Sequence, residues 1–562
     1  MDQLKYLFSG VIASILILPG PAWAQVDASA ESEWRVFLPA VSQRNAQQSV
    51  NSEMDIPKVV TRDLSANDPA SRDNDPVTKR TLTVGSILVE SQESLDHSIF
   101  DQVIESFLGK ETTNDDLAKL AQEIATIARD NGMVLAEAHV PEQDIEMGIV
   151  KVVLSTGVID EVRIEGSSNR ALRKLLDPLA GNVALQKDLE RRLILASNIP
   201  QVWVKRTELI QEGGRRILLV QAAERKKVRG QVVVDNFGSK RVGPLRARVN
   251  VETVALLDDS DNLSVTLRTN PSDPGELVAA STVYGIGLNN NGTRAEVTTA
   301  WSKGGVDPQF GFGRRDGTSS YASLSLNHPL RRSRTDNIWV DGQFEYLNIE
   351  QESFGALLQS DTVVTLSVGL SASTKVAGGW MRAGTQIRQG LGVFGAKSSG
   401  DPLSSRFDAD GKFTSGRAWI SWTGKPVDEV TLRLAVSGQV ASEPLLSSEE
   451  VGLGGAFLGR GFEFYERSGD HGVMGLAEIG YEFSKPFSWM KRLQPYAFID
   501  GGYVGNLNGG YGSGTLMSAG GGVRADIGRL GVQLETAVPV SQSGRNAKDS
   551  SPKVNLQVGL EF

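Results

Sequence analysis

From residue 228 to residue 562 this chain alternates apolar and polar residues with period two, and that rhythm confines the whole stretch to β-structure. The last segment is the clearest: Val554, Leu556, Val558, Leu560 and Phe562 fall on one side, Asn555, Gln557, Gly559 and Glu561 on the other. Leu263, Val265 and Leu267 alternate with Ser264, Thr266 and Arg268. Leu245, Ala247, Val249 and Val251 alternate with Arg246, Arg248, Asn250 and Glu252, and Val340, Phe344 and Tyr346 with Asp341, Gln343 and Glu345. Two architectures satisfy such a pattern. A soluble sandwich turns the polar side to water and the apolar side to a core; an outer-membrane barrel turns the apolar side to lipid and the polar side to a wet lumen. Alternation alone does not separate them.

Three further features favour the barrel. The candidate strands number about sixteen, an even count, with roughly 20 residues for each strand and its turn. The sequence finishes on an aromatic, Phe562, at the end of an amphipathic strand. Trp380, Trp419, Trp422, Phe483, Trp489 and Tyr503 gather at strand ends, as aromatic girdles do at a lipid interface. Open sheet edges are intolerable in hydrocarbon, so such strands must close, and a barrel of about sixteen is wide enough for an aqueous channel.

The remainder of the 562 residues divides into three. Residues 1–24 read as a secretory signal: Lys5 near the amine, an apolar centre over 7–18, a break at Pro19 and Pro21, and Ala22-Trp23-Ala24 before Gln25. The apolar run is short for a membrane span of about 20 residues. Residues 25–80 are polar, with Pro57, Pro69 and Pro76 among charges, and read as a solvated linker. Residues 81–157 and 158–227 then each show the order β-α-α-β-β. In the first, strands are expected at 82–90, 133–140 and 149–155 and helices at 98–108 and from 114 to Asn131-Gly132. In the second, strands are expected at 158–165, 202–210 and 216–222 and helices at 168–179 and 185–197. The expected fold is therefore a transmembrane β-barrel of about 16 antiparallel strands preceded by two α+β modules.

Composition narrows the chemistry. With Cys 0 there is no disulfide, thiolate metal site or cysteine nucleophile. A net charge of −9 with no basic run argues against nucleic-acid binding. No GxxxxGK[ST] run offers a nucleotide site. His97, His139, His328 and His471 stand in no local catalytic motif, and His139 with Glu137 and Glu142 reads as a solvated strand end rather than a metal site. The acidic stretches 258–262 (DDSDN) and 408–411 (DADG) read as turns, because neither completes a calcium loop. No cofactor, metal or catalytic residue is expected.

One loop stands apart. Residues 451–462, VGLGGAFLGRGF, place Arg460 between Gly459 and Gly461, and 494–505 place Asp500 in phase with Tyr496 and Phe498 on a strand. Glycines on both sides of an arginine allow close backbone approach and leave the guanidinium as the one strong polar handle. A loop of that kind suits a confined space and a charge-assisted, bidentate bond to a carboxylate, worth about 1 kcal/mol if the pair is wet.

Several of these residues also carry a family resemblance. Pro141, Gln143 and Gly148 fit the pattern P-x-Q-x-(I/L)-x-x-G of a POTRA module. Residues 157–166 resemble the opening of a second module, and 189–200 a helix ending in asparagine, an apolar residue and proline. Residues 235–239 with Gly243 resemble a first barrel hairpin. Arg460, Gly461 and Phe462 match the (V/I)RG(Y/F) motif of a long sixth loop, with Gly459 in place of the usual branched residue. Phe498, Asp500 and Gly502 match F-x-D-x-G. Together they resemble the outer-membrane transporters of two-partner secretion, within the superfamily of POTRA-bearing barrels.

The resemblance implies an outer-membrane pore, not an enzyme, whose periplasmic POTRA domains recognise an unfolded exoprotein and which exports it without ATP. It further implies that the loop 447–470 folds into the lumen with Arg460 against Asp500, that a plug helix lies in 25–49, and that Phe562 is the assembly signal. The implied partners are a large exoprotein with an amino-terminal β-helical secretion domain, outer-membrane lipid and the barrel-assembly machinery, with no nucleic acid, the transporter itself being a monomer. A barrel assembly or insertase factor of the same superfamily is the alternative.

Overall fold

The computed structural model describes residues 59–61, 82–91, 96–143, 148–238, 243–306, 315–456, 458–508, 510, 512–541 and 551–562. The expected signal segment 1–24 and plug segment 25–49 lie outside them. The chain forms two compact units, one of Glu53–Arg225 and one built on Lys226–Phe562.

The first unit holds the strands β1 (Val59–Thr61), β2 (Leu82–Thr83) and β3 (Ser86–Ser91), then a 3-10 turn (His97–Phe100) running into α1 (Asp101–Phe107). After β4 (Glu111–Thr112) come α2 (Asn114–Asp130), β5 (Glu137–His139) and β6 (Ile149–Ser155). A three-stranded sheet runs β3-β6-β5, parallel then antiparallel. The same plan follows with β7 (Glu161–Glu165), α3 (Arg170–Leu176), α4 (Gln186–Ser197), β8 (Val202–Glu212) and β9 (Arg215–Glu224). Here β7 lies parallel and β8 antiparallel to β9.

The helix α2 shows why the plan recurs. Thr113 and Asp116 form a capping box, the Asp116 N–H donating to Thr113 Oγ1 at 3.3 Å and the Thr113 N–H to Asp116 Oδ2 at 3.0 Å. Leu117, Leu120, Ala121, Ile124 and Ala128 then repeat at helical spacing and bury against Val89, Val150, Val152 and Leu154. Burial of Leu120 and Ile124 contributes about 1.5–3 kcal/mol each. Gly132 ends the helix in the left-handed region at φ +95°.

Four expectations need correction. The strand expected over 82–90 breaks at Val84-Gly85, where Gly85 N–H bonds Gly148 O at 2.8 Å. The strands expected over 133–140 and 158–165 shrink to β5 and β7, because Met133 and Val158 instead make single bridges to Leu185 and Val183. The helix expected over 168–179 tightens into a 3-10 turn at Asp177–Leu179, where Pro178 occupies the first turn. Within the expected linker, β1 pairs in parallel with β8, Val60 opposite Glu208, so the second sheet reads β1-β8-β9-β7.

The second unit is a closed barrel in which every neighbouring pair is antiparallel. Its strands begin with β10 (Val228–Asp235), β11 (Arg246–Val254), β12 (Asn262–Thr269), β13 (Val278–Gly287) and β14 (Arg294–Val306). They continue with β15 (Arg315–Arg332), β16 (Asp336–Ser353), β17 (Ala356–Val376), β18 (Gly379–Gly390), β19 (Thr414–Val427) and β20 (Val430–Ala441). A hairpin of β21 (Val451–Leu453) and β22 (Arg467–Gly469) stands outside the wall. The wall resumes with β23 (His471–Tyr481), prolonged by β24 (Phe483–Phe487), then β25 (Met490–Gly505), β26 (Gly514–Ile527), β27 (Leu530–Pro539) and β28 (Lys553–Glu561). With β23 and β24 sharing one stave, sixteen staves close where β10 meets β28.

Burial now separates barrel from sandwich. In β28, Val554, Leu556 and Leu560 are exposed while Asn555 and Gln557 are buried. Leu366, Val368 and Leu370 of β17 are likewise exposed and Thr365 and Ser367 buried. A soluble sandwich would show the reverse. The apolar face looks outward to lipid and the polar face inward. Short turns such as 377–378 and 428–429 mark one end of the barrel, and the long connections 391–413 and 442–470 the other. The sixth connection at that end therefore starts at 442, earlier than the expected 447.

Candidate functional site

The loop 442–470 enters the lumen and carries Arg460 at its tip, with 5 % of its side chain exposed. Its entry depends on backbone that only small residues permit. Gly459 adopts φ +75°, in the left-handed region where a branched residue would be strained. A Cβ at Gly461 would stand 2.7 Å from the backbone of Val538 and Pro539, so the tip lies directly on β27. Phe462 packs with Leu453, Met474, Val504 and Leu516.

Asp500 faces inward on β25 beside Tyr496 and Phe498, as its phase requires. Its Oδ1 accepts the N–H of Gly459 at 2.9 Å and of Arg460 at 3.3 Å, and the hydroxyl of Ser518. Arg460 Nε stands 3.0 Å from Asp500 Oδ2 as an ion pair, without the alignment of a hydrogen bond. The hydrogen bonds of the guanidinium go elsewhere: Nη1 donates to Glu535 Oε2 at 2.8 Å and to Glu478 Oε2 at 3.2 Å, and Nη2 to Glu478 Oε2 at 3.2 Å. Its face lies 3.8 Å from the centroid of the Phe498 ring. The expected bidentate bond to Asp500 is thus replaced by a division of labour, in which Asp500 grips the loop backbone and two glutamates hold the arginine.

Further groups complete a balanced cluster. Arg524 donates to both carboxylate oxygens of Glu478 at 2.7 and 3.1 Å, and Arg433 donates to Glu478 Oε1 at 3.0 Å. Tyr496 Oη donates to Glu535 Oε2 at 2.8 Å, and Asn555 Nδ2 to Glu535 Oε1 at 3.3 Å. The arginines 433, 460 and 524 face the carboxylates of Glu478, Asp500 and Glu535, so charge is matched. All six are buried or nearly so, and removing one partner from such a cluster costs about 3–5 kcal/mol, well above the value for a wet pair. A cavity of about 270 Å³ borders the tip, lined by Phe237, Pro244, Arg460, Phe462, Phe464 and Asn555 among others.

Glu478 and Glu535 were not singled out by sequence. The available signal was a lone carboxylate at an inward position of its strand, Glu478 in 471–481 and Glu535 in 530–539. Gly502 meets no functional group; a Cβ there would stand 2.7 Å from Met474 Cα, so the site is one of close strand approach. Phe562 exchanges both backbone hydrogen bonds with Gly230 of β10, at 3.0 and 2.9 Å, and a Cβ on Gly230 would overlap its ring.

In the first unit, Gln143 clips a turn. Its Nε2 donates to Lys151 O at 2.8 Å and its Oε1 accepts the Lys151 N–H at 2.9 Å, while Nε2 also reaches Pro141 O at 3.4 Å. Gly148, at φ +72°, passes so close to the β2–β3 break that a Cβ would stand 2.6 Å from Thr83 O. Glu137 pairs with Arg216 at 3.0 Å, and no metal-holding cluster occurs among the described residues. In 255–261, Asp261 accepts the N–H groups of Leu256, Leu257 and Asp258 at 2.7, 2.8 and 3.0 Å, which is turn chemistry.

A closed, outward-apolar barrel of sixteen staves, with an arginine-tipped loop folded into a polar lumen and α+β modules before it, defines the class: an outer-membrane transporter. Comparison with known proteins gives the family. Residues 214–525 match the family described as haemolysin secretion/activation protein ShlB/FhaC/HecB, and residues 82–157 match the POTRA domain of ShlB type. The chain belongs to that haemolysin secretion/activation family, whose members are translocation pores rather than enzymes.

Among relatives, the heme/hemopexin transporter protein HuxB of Haemophilus influenzae is 24 % identical over 506 residues, covering 86 % of this chain and 88 % of its own. The outer membrane transporter CdiB of Escherichia coli is 23 % identical over 481 residues, covering 82 % and 79 %. The structure of CdiB from Escherichia coli superposes with a TM-score of 0.78 at 20 % identity, covering 96 % of this chain and 100 % of that one. CdiB from Acinetobacter baumannii gives 0.69 at 16 %, covering 94 % and 99 %. The barrel lies in the outer membrane with its POTRA domain in the periplasm, and the family works in two-partner secretion, moving an exoprotein outward.

Proposed function

We propose that the chain captures an unfolded exoprotein in the periplasm by strand addition, passes it through the barrel lumen without nucleotide hydrolysis, and regulates passage through the loop tip at Arg460. Residues 158–227 act as a second POTRA module, on the strength of a topology that repeats that of 82–157. Strand addition supplies affinity through backbone hydrogen bonds with little demand on sequence, which suits an unfolded client. In the second module β1 already occupies the edge of β8. Among the described residues, the edge strands open to a client are β3 and β5 in the first module and β1 and β7 in the second.

The observation that carries the reading is the loop tip itself, inserted in the lumen and held by matched charges. Guanidinium–carboxylate pairs and backbone hydrogen bonds can break and re-form; a permanent staple would use covalent or purely apolar contacts. The client class is a large exoprotein with an amino-terminal β-helical secretion domain. The outward apolar face binds lipid as a monomer, and Phe562 addresses the chain to the barrel-assembly machinery. Co-expression with the exoprotein of the neighbouring reading frame tests the reading. Its appearance outside the cell, lost when 82–157 is deleted from an otherwise assembled barrel, is the expected result. Unaffected export with defective assembly of other barrels would favour the insertase role instead.

A further inference from the structure

The loop 442–470 is held at its base as well as at its tip, and the base contacts involve residues that the function read above does not use. Arg406, in the neighbouring loop 391–413, is the centre of them. Its Nη1 donates to Asp470 Oδ2 at 2.8 Å and Oδ1 at 2.9 Å and to Asn506 Oδ1 at 3.2 Å; its Nη2 donates to Leu507 O at 2.7 Å. Glu450 Oε1 stands 3.4 Å from the same Nη1, and Asp408 takes Nε at 2.8 Å. Asp470 is fully buried and also accepts the N–H of Leu445 at 2.7 Å and of Leu507 at 2.8 Å. One side chain therefore joins three loops, 391–413, 442–470 and 506–513.

Beneath this junction the lumen wall changes character. Ala300, Tyr321, Leu347, Ile349 and Val363 take inward positions on β14 to β17 and form one apolar cluster. Further along the same inward faces come Thr298, Ser323, Glu345 and Thr365. The cluster is covered by Leu445 and Leu446 at the base of 442–470 and by Ala409 and Phe413 of 391–413. Ser447 N–H donates to Ser405 Oγ at 3.0 Å, and Glu449 meets Arg388 of β18 through both its oxygens at 2.8 and 3.0 Å.

We propose that Arg406 is a second lock on the pore, a positioning residue that keeps loops 391–413 and 442–470 together as a cap over the apolar lumen patch, independently of Arg460. The tip cluster is built on β20, β23, β25, β26, β27 and β28; the cap rests on β14 to β17 and shares no side chain with it. Release of Arg460 then frees the tip and leaves the base seated. The proposal rests on the lumen being the export route, but its test reads loop exposure and not export.

The chain has no cysteine, so a single introduced one reports its own site. Leu445→Cys reports the cap and Leu453→Cys the tip; both positions are fully buried. Labelling by a maleimide-linked polyethylene glycol is measured on the full-length protein in its membrane, in wild-type, Arg406→Ala, Arg406→Lys and Arg460→Ala backgrounds. Arg406→Ala is expected to speed labelling at 445 at least tenfold, the factor that about 1.4 kcal/mol of lost local stability produces, while 453 stays protected. Arg460→Ala is expected to do the opposite. Arg406→Lys, which keeps the charge beside Asp470, is expected to fall between and provides a variant that assembles if the alanine does not. Protection at 445 in both Arg406 variants, or exposure of both reporters by either substitution alone, would overturn the proposal.

Discussion

Asp500 holds Gly459 by its backbone: the carboxylate Oδ1 accepts the Gly459 N–H at 2.9 Å, and the next N–H, that of Arg460, at 3.3 Å. A neutral amide oxygen can accept the same two bonds, whereas a methyl cannot. Asp500→Asn, which loses the ion pair but keeps an acceptor, is therefore expected to lose less of the tip's protection and of export than Asp500→Ala, which also orphans buried donors at about 1–3 kcal/mol. Protease accessibility of 453–464 in assembled barrels measures the difference. Equal loss in both variants would show that charge, not backbone capture, is what Asp500 supplies.

Arg460→Ala removes the cation between Glu478, Glu535 and Asp500 and leaves buried carboxylates short of a partner, at about 3–5 kcal/mol. The barrel wall does not depend on the loop for its strand pairing. The expected outcome is a heat-modifiable barrel at normal level with export reduced at least about tenfold, Arg460→Lys restoring little because it lacks the fork that reaches both glutamates. Export at the wild-type rate would remove the loop's functional role.

Gly459 adopts φ +75°, a backbone conformation in which a branched residue would be strained. Gly459→Val should strain the tip by about 1–2 kcal/mol. The check is a lowered temperature for loss of tip protection with no change in the heat-modifiability of the wall. An unchanged temperature would mean that the loop re-forms with another backbone.

Phe562 closes the seam by placing its ring over Gly230, a seat that any side chain would fill. Gly230→Val and deletion of Phe562 are each expected to lower the folded barrel fraction. Because both remove one contact, the double variant should be no worse than the poorer single one. Additive losses would mean that the two act separately, with Phe562 read only by the assembly machinery.

The Gln143 clip is local. Gln143→Ala should cost about 1 kcal/mol of module stability through two lost hydrogen bonds, leaving client capture intact at low temperature. Binding lost in step with unfolding, followed by circular dichroism, supports a structural role; binding lost in a folded module would assign Gln143 to the client surface.

Much of this was legible from residue order. Period two across 228–562 announced two-faced β-strands, their even number, terminal aromatic and aromatic strand ends favoured the barrel, and the phase of Tyr496, Phe498 and Asp500 announced which face of β25 looks inward. The arginine between glycines announced a loop built for a confined space. What escaped has a physical reason in each case. Glu478 and Glu535 are distant in sequence from Arg460 and are brought to it by strand register, which no local pattern encodes. Arg406 is by sequence one charge in a polar loop, and three loops meet at it only after closure. The strand β1 is three residues long and sits among prolines and charges, where edge pairing overrides composition. The barrel reading, apolar side to lipid and polar side to lumen, is borne out by burial, with Asn555 inside and Leu556 outside.

Adjacent residues of β17 test whether the exoprotein travels through the lumen. Thr365 faces inward and is buried; Leu366 faces lipid and is about half exposed. A photo-crosslinking amino acid placed at each position, in cells arrested during export, reads which face the client touches. An exoprotein adduct is expected from position 365 and none from 366. Adducts from 366 alone, or none from 365 while export proceeds, would contradict it.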